Sequence, residues 1–80
     1  MKIPVIKKLV EQYTIEQLEE AEMAILQEES PIIEVEGEDD GEQLTNVMAA
    51  MWVKQEMEKS AVDLMTAIRA YSQKVRNSIS

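Results

Sequence analysis

Apolar residues recur along the first part of the chain at the three- and four-residue spacing of an amphipathic helix. Ile6, Leu9 and Val10 lie at i, i+3 and i+4, and Pro4 stands where a first helical turn accepts proline. This spacing predicts a first helix over about 4–13 that packs one apolar face into a core.

A second helix is predicted over about 15–29. Thr14 and Gln17 have the spacing of a capping box, in which each side chain satisfies a backbone N–H of the other residue. Ser30 and Pro31 end this helix, because the residue before a proline avoids helical dihedral angles.

A third helix is predicted over about 41–59. Two acidic caps fit its start, and they are Asp40 with Gln43 or Asp39 with Glu42. Its apolar positions form two adjacent stripes, which consist of Leu44, Val47, Met48, Met51 and Trp52, and of Ala50, Val53 and Met57. So wide an apolar arc predicts a central helix that touches neighbours on two sides.

A fourth helix is predicted over about 61–78, capped by Ser60 with Asp63. Its apolar positions follow the spacing of a heptad seam, and they are Ala61, Leu64, Ile68, Tyr71 and Val75. One continuous helix over about 42–78 is the alternative, because no glycine or proline follows Gly41. The break is favoured, since helices longer than about 25 residues are uncommon outside coiled coils.

Residues 31–41 connect the second and third helices. The segment 32–35 has the composition of a short extended piece, but the chain offers no second strand to pair with it unless a partner chain supplies one. An acidic turn follows between Gly37 and Gly41. The expected fold is all-α: a small three- or four-helix bundle with an acidic extended linker between the second and third helices, in which residues 1–80 form a single domain.

The residue types present narrow the range of chemistry. The chain has no cysteine and no histidine, so thiolate ligands, imidazole ligands and the usual general base are missing. No glycine-rich phosphate loop and no nucleophile beside a base is visible in the sequence. We therefore expect no enzyme, no catalytic residue, no metal ligand and no cofactor.

The net charge of −8 is unevenly distributed. Between Glu11 and Glu42 the chain contains Asp and Glu but no Lys or Arg, and such a segment repels a phosphate backbone. We therefore expect no nucleic-acid partner. Lysines within the first eight residues interrupt the apolar run that a signal peptide needs, and no apolar run is long enough to span a membrane. We expect a cytoplasmic protein without membrane contact.

The acidic residues of the segment 34–42 suggest weak divalent-cation binding, because hard cations prefer carboxylate oxygens. If Gly41 were the glycine of an EF-hand loop, however, the last ligand position would fall on Val47, which has no side-chain oxygen. A solvated loop is the simpler interpretation, and a weak cation site stays the alternative. The same acidic segment is also suited to docking on a basic protein.

Methionine and tryptophan residues are concentrated on the third and fourth predicted helices. Methionine often fills a core, but so short a chain has more apolar helix surface than one core covers. The surplus indicates contact with another protein, most simply a second copy in a homodimer. The predicted interaction surface consists of Met48, Met51, Trp52, Met57, Leu64, Ile68 and Tyr71.

Several short motifs are distributed over nearly the whole chain, and they are Met1 to Ile6, Glu16 to Glu19, Gly41 to Leu44, and Lys74 to Ile79. Together they resemble a family of short bacterial proteins known only as a domain of unknown function. The resemblance implies a small helical domain in a bacterial cytoplasm, assigns no functional residue, and suggests an accessory role beside a thioredoxin-like system. Where that family often has a glycine in the turn between its last two helices, this chain has Glu58 to Ala61.

Overall fold

Four helices make up most of the chain in the computed structural model, which describes residues 2–79 and the side chains of residues 2–78. They are α1 (Ile3–Gln12), α2 (Ile15–Leu26), α3 (Asp40–Ser60) and α4 (Leu64–Ile79). The predicted all-α class is confirmed, and residues 32–35 form no strand within this described part. No helix in the same part is both long enough and apolar enough to cross a membrane. Residues 1 and 80 of the predicted domain lie outside the described residues.

The turn between α1 and α2 contains the predicted capping box, which is confirmed. The N–H of Gln17 donates to Thr14 Oγ1 at 3.1 Å, and the N–H of Thr14 donates to Gln17 Oε1 at 2.9 Å. Tyr13 and Thr14 have extended dihedral angles. The chain therefore leaves α1 and enters α2 through two residues whose backbone is held by local hydrogen bonds.

α2 ends at Leu26, earlier than the predicted end at about residue 29. Glu28 has a φ of 61°, in the left-handed region. Around it the N–H of Glu28 donates to the carbonyl of Ile25 at 3.0 Å, and the N–H of Glu29 donates to the carbonyl of Ala24 at 2.8 Å. This is the hydrogen-bond pattern of a Schellman motif, so the helix ends before the proline at position 31 can end it.

α3 begins with the second of the two caps considered, because Asp39 Oδ1 accepts a hydrogen bond from the N–H of Glu42 at 2.8 Å. Gly37 precedes this cap with a φ of 157°. A Cβ atom at Gly37 would lie 2.8 Å from the backbone nitrogen of Gln43. Only glycine therefore lets the connecting segment, residues 27–39, pass so close to the first turn of α3.

α3 and α4 are separate helices, so the alternative of one continuous helix is wrong. Ala61 has a φ of 52° and donates its N–H to the carbonyl of Met57, and the N–H of Val62 donates to the same carbonyl at 3.3 Å. These bonds end α3 in a left-handed turn. Ala61 therefore lies in this turn, exposed to solvent, and does not belong to the predicted seam of α4.

The cap of α4 is Asp63, and the prediction of Ser60 is wrong because the left-handed turn moves the start of α4 to Leu64. Asp63 Oδ1 accepts a hydrogen bond from the N–H of Thr66 at 2.9 Å, whereas Ser60 Oγ donates to Glu56 Oε2 at 2.7 Å. Hydrogen bonds from Thr66 hold the pKa of the Asp63 carboxyl below its ordinary value of 3.8. This cap therefore stabilises the fold above pH 3.8 and loses its effect as the pH falls through the lowered pKa.

α3 is the central helix, as predicted, because α1, α2 and α4 each pack against it. Its inner side is fully buried, and the apolar residues there are Val47, Ala49, Ala50 and Val53. The large side chains buried on the other helices include Ile6 and Leu9 of α1 and Leu18 of α2. Since alanine side chains are short, neighbouring helices can approach α3 closely along this side.

Lys54 adds a polar link between α3 and α1. Its Nζ donates to the backbone carbonyl of Val10 at 3.1 Å, in a partly buried position. Val10 lies in the last turn of α1, whose carbonyls have no partner within the helix and carry a partial negative charge. The ammonium group of Lys54 therefore stabilises the end of α1 and fixes it against α3.

Replacing Ala61 by glycine should stabilise the fold. A side chain in the left-handed region costs about 1–2 kcal/mol, and glycine avoids this cost while losing somewhat more backbone entropy on folding. We expect the free energy of unfolding to rise by about 0.5–1 kcal/mol, measured by urea denaturation followed through Trp52 fluorescence.

The matched control for this change is Ala70→Gly, in the interior of α4. There the backbone is helical and glycine is unfavourable, so the same free energy should fall by about 1 kcal/mol. A fall in stability for Ala61→Gly as well would contradict this description of the turn.

Candidate functional site

The residues predicted to form an interaction surface differ in their exposure. Met48 is half-exposed, at 51%. Five others are partly buried against the core, and they are Met51, Trp52, Met57, Leu64 and Tyr71. Ile68 is only 3% exposed, so it belongs to the core and does not form part of this surface. Met65 on α4 is half-exposed and was not among the predicted residues.

Trp52 of α3 and Tyr71 of α4 are brought together by the fold. Their ring centroids are 5.5 Å apart and their planes are tilted by 52°. Tilted aromatic pairs at such distances contribute about 0.5–1.5 kcal/mol beyond the burial of their area. The pair holds α4 against α3, and both rings remain partly open to solvent.

Leu44, Met48 and Met51 form what we call the outer α3 face. A helix turns by about 100° per residue, so the spacing i, i+4 and i+7 places these three side chains on the side opposite Val53. Val53 is fully buried, whereas Met48 is half-exposed and the other two are partly buried. α3 is thus apolar on both sides, a pattern typical of helices that are covered all round.

The outer α3 face also has no charge of its own. From residue 44 to residue 55 the only ionisable side chain is Lys54, and its Nζ is bound to the carbonyl of Val10 on α1. In a chain with a net charge of −8, such an uncharged stretch over three helical turns is distinctive. It is a surface on which another apolar surface can be placed without burying a carboxylate.

Asn46 is a buried polar residue that sequence reasoning missed. Its side chain is fully buried, and its Nδ2 donates to the backbone carbonyl of Glu36 at 3.0 Å. Its Oδ1 is buried and accepts no hydrogen bond from the residues that the structure describes. The sequence spacing does indicate a buried position. Asn46 precedes Ala49, Ala50 and Val53 by three, four and seven residues, so it lies on their side of the helix.

Asn46 fixes the end of the connecting segment to α3. Asn46 binds the carbonyl of Glu36, and the preceding residue, Val35, is buried with only 9% of its surface exposed. The carbonyl of the following residue, Gly37, accepts a longer hydrogen bond of 3.4 Å from Gln43 Nε2. The segment is therefore packed against the helix at residues 35–37 and is not simply a solvated turn there.

The acidic residues of the segment 34–42 are not arranged as a metal site. In the described residues, 2–79, no three Asp or Glu side chains lie close enough together to hold a metal ion. Asp39 caps α3. Two other acids face lysines of the first eight residues: Glu36 Oε1 lies 3.8 Å from Nζ of Lys8 in α1, and Glu42 Oε1 lies 3.6 Å from Nζ of Lys2, the residue before α1. This arrangement gives no support to the prediction of cation binding.

Comparison with protein-family models identifies the family of this chain. The model of a family described as a family of unknown function (DUF6952) matches residues 1–80. The resemblance to a family of unknown function is thereby confirmed. No curated protein and no solved structure matches the chain significantly.

Asn46→Asp should destabilise the fold strongly at neutral pH. The change places a carboxylate in a fully buried position and removes the donor to the Glu36 carbonyl, so we expect the free energy of unfolding to fall by about 2–4 kcal/mol. Because burial raises the pKa of a carboxyl, the loss should shrink as the pH falls toward about 4. Urea denaturation over a pH series measures both effects.

Asn77→Asp is the control, because it makes the same chemical change at an exposed position. We expect the free energy of unfolding to change there by less than about 0.5 kcal/mol at neutral pH. Equal losses at the two positions would contradict the assignment of Asn46 as a buried anchor.

Proposed function

This chain belongs to the DUF6952 family, whose function is unknown, and we propose that it is a non-enzymatic protein that acts through contact with other protein chains. Its first partner in this proposal is a second copy of itself. The observation that supports the proposal is the outer α3 face, an uncharged apolar surface on the helix that holds the fold together. Trp52 and Tyr71 extend this surface toward α4.

Covering the outer α3 face is energetically favourable. Burying a Met or Leu side chain completely is worth about 1.5–3 kcal/mol, so the remaining exposure of Met48 corresponds to about 1 kcal/mol and the smaller exposure of Leu44 and Met51 to less. Methionine also adapts its shape to the partner surface, because it is unbranched and polarisable. Such a surface therefore suits a contact between chains.

Charge favours a second copy with this face in the contact. Two chains that each carry −8 repel one another, so a contact through faces that are free of carboxylates is favoured. The outer α3 face meets that condition, since Lys54 is the only ionisable residue from 44 to 55 and it faces α1. A two-fold arrangement then places each copy's Met48 against the same surface of the other copy.

The size of the molecule is compatible with such a contact. A stable interface buries about 800 Å² on each partner, which corresponds to a patch about 28 Å across. The molecule measures 32 × 28 × 18 Å, so a patch of this size would take up most of its broadest side. The outer α3 face would form the centre of the patch, with Trp52 and Tyr71 beside it.

Met48→Glu should dissociate the homodimer. The change places a carboxylate in the contact surface of each copy, where it loses hydration and where the two new charges repel one another, so we expect the dissociation constant to rise at least about tenfold. Sedimentation equilibrium measures this constant. The wild-type protein should change between 9.1 kDa and twice that mass across the concentration series.

Met23→Glu is the matched control, because Met23 on α2 is exposed to a similar degree, at 56%, and the substitution adds the same charge. It should leave the dissociation constant within about twofold of wild type. Met48→Lys adds the opposite charge and should also dissociate the dimer if packing is essential. The proposal would be contradicted if the two glutamate variants changed the dissociation constant equally. It would also be contradicted if the wild-type protein stayed at 9.1 kDa at high micromolar concentration.

The homodimer should also become tighter as salt is added. Between about 50 mM and 500 mM NaCl the repulsion between two acidic chains is progressively screened, whereas the apolar contact is not. A dimer that weakens with salt would indicate that ion pairs hold it together.

Two other roles stay predictions. Weak cation binding has no observation in its favour, given the arrangement of the acids described above. An accessory role beside a thioredoxin-like system was suggested by the family resemblance. Because the chain has no cysteine, it could take part there through contact with another protein and not through disulfide exchange of its own.

A further inference from the structure

A narrow groove lies between α2 and the connecting segment that follows it. Its volume is about 200 Å³, and Ala21 and Ala24 of α2 lie along one wall. Ile32 and Ile33 line the other wall. Because the alanine side chains are short, the groove has room for an apolar side chain that inserts from outside.

Ile32 makes this groove unusual, because its side chain is 94% exposed. The adjacent Ile33 is partly buried against the core, so Ile32 alone of the two projects fully into solvent. An apolar side chain placed in the groove would contact Ile32 and remove part of it from water. The groove and Ile32 together form an apolar surface that the chain itself leaves open.

The rim of the groove is acidic. Glu20 of α2 and Glu29 of the connecting segment lie along it, and neither carboxylate has an ion-pair partner among the residues that the structure describes. The adjacent face of α2 adds Glu16 and Glu19 beside the half-exposed Met23. The surface therefore combines unpaired negative charge with apolar contact area.

In the part of the chain that the structure describes, no Lys or Arg forms an ion pair with these acids. Lys2 faces Glu42, Lys8 of α1 faces Glu36, and Lys54 of α3 binds the carbonyl of Val10. No Lys or Arg lies between Glu11 and Glu42. An occupant of the groove must therefore bring its own positive charges.

We propose that this groove, together with the adjacent acidic face of α2, binds a cationic amphipathic segment of another protein. An apolar side chain of that segment occupies the space between Ala24 and Ile32. Neighbouring lysine or arginine side chains pair with Glu20 and Glu29. Charge complementarity speeds the encounter and selects a basic partner, and the apolar side chain fixes its position.

A second copy of this chain fits the groove less well. It carries the same net charge of −8, so electrostatic repulsion opposes its approach to an acidic rim. The groove also lies on α2 and the connecting segment, apart from the outer α3 face. The two proposed contacts can therefore be tested separately.

The test uses a synthetic amphipathic peptide of leucine and lysine with helical spacing, labelled with a fluorophore, and measures its dissociation constant from the wild-type protein by anisotropy. Ala24→Met fills the groove and should weaken binding roughly tenfold to hundredfold, because a leucine side chain loses its burial. The double variant Glu20→Gln and Glu29→Gln should weaken binding roughly threefold to tenfold, as expected for two rim ion pairs.

Matched controls separate the groove from the general negative charge of the protein. Ala70→Met adds the same side chain at a half-buried alanine of α4, and Glu11→Gln with Glu58→Gln removes the same charge at two exposed positions. Both controls should stay within about twofold of wild type, as surface changes away from the contact do. Circular dichroism and Trp52 fluorescence establish that each variant is folded.

Salt gives a second, independent readout. The complex with the basic peptide should weaken between about 50 mM and 500 mM NaCl, whereas the proposed homodimer should tighten. If the groove variants and the control variants changed the dissociation constant equally, the peptide would be held by charge attraction alone. That result would overturn the inference. It would also be overturned if Ala24→Met altered self-association in the absence of peptide, since the occupant would then be a second copy.

Discussion

The fold depends above all on the burial of the inner side of α3 against the three other helices. Val47, Ala50 and Val53 are fully buried there, and α1, α2 and α4 each make their main contacts with this helix. In a chain of 80 residues there is little other apolar surface to replace these contacts. Any change that separates one helix from α3 therefore removes a large part of the total stability.

The same constraint explains the surfaces that remain open. Three helices and the connecting segment cover the inner side of α3, whereas on the other side Leu44 and Met51 are covered only in part and Met48 is half-exposed. α2 gives one apolar side to the core, where Leu18 and Ala21 are buried, and keeps its glutamates in water. The result is a molecule with one uncharged apolar face and one acidic face. In the two contacts that we propose, these faces bind partners of different chemistry, and salt acts on them in opposite directions.

Local chemistry is what the sequence predicted best. The capping box of Thr14 and Gln17 depends on residues three apart, so it could be identified without any knowledge of the rest of the chain. The end of α2 could not be identified in this way. Glu28 adopts the left-handed conformation there, and glutamate is not a residue type that predicts this conformation. The same holds for Ala61, which shifts the start of α4 and so transfers the cap from Ser60 to Asp63.

The candidate site was only partly visible in the sequence for a different reason. Both stripes of α3 are apolar, and the pattern alone does not decide which of them faces the core. The small residues Ala49 and Ala50 decide it, since they let the neighbouring helices approach, and Met48 is left outside. Asn46 was missed because a polar residue is normally assigned to the surface, although its spacing from Val53 places it inside.

The central claim is that the outer α3 face is open in one chain and covered by a second copy. Methyl NMR of the six methionines, with a soluble paramagnetic agent added, tests it most directly, since each methyl group reports its own exposure to solvent. At low protein concentration the methyl signals of Met48 and Met23 should both be broadened by the agent. As the concentration rises, Met48 should become protected while Met23 stays exposed, and a Met48 signal that remains equally broadened at every concentration would contradict the account.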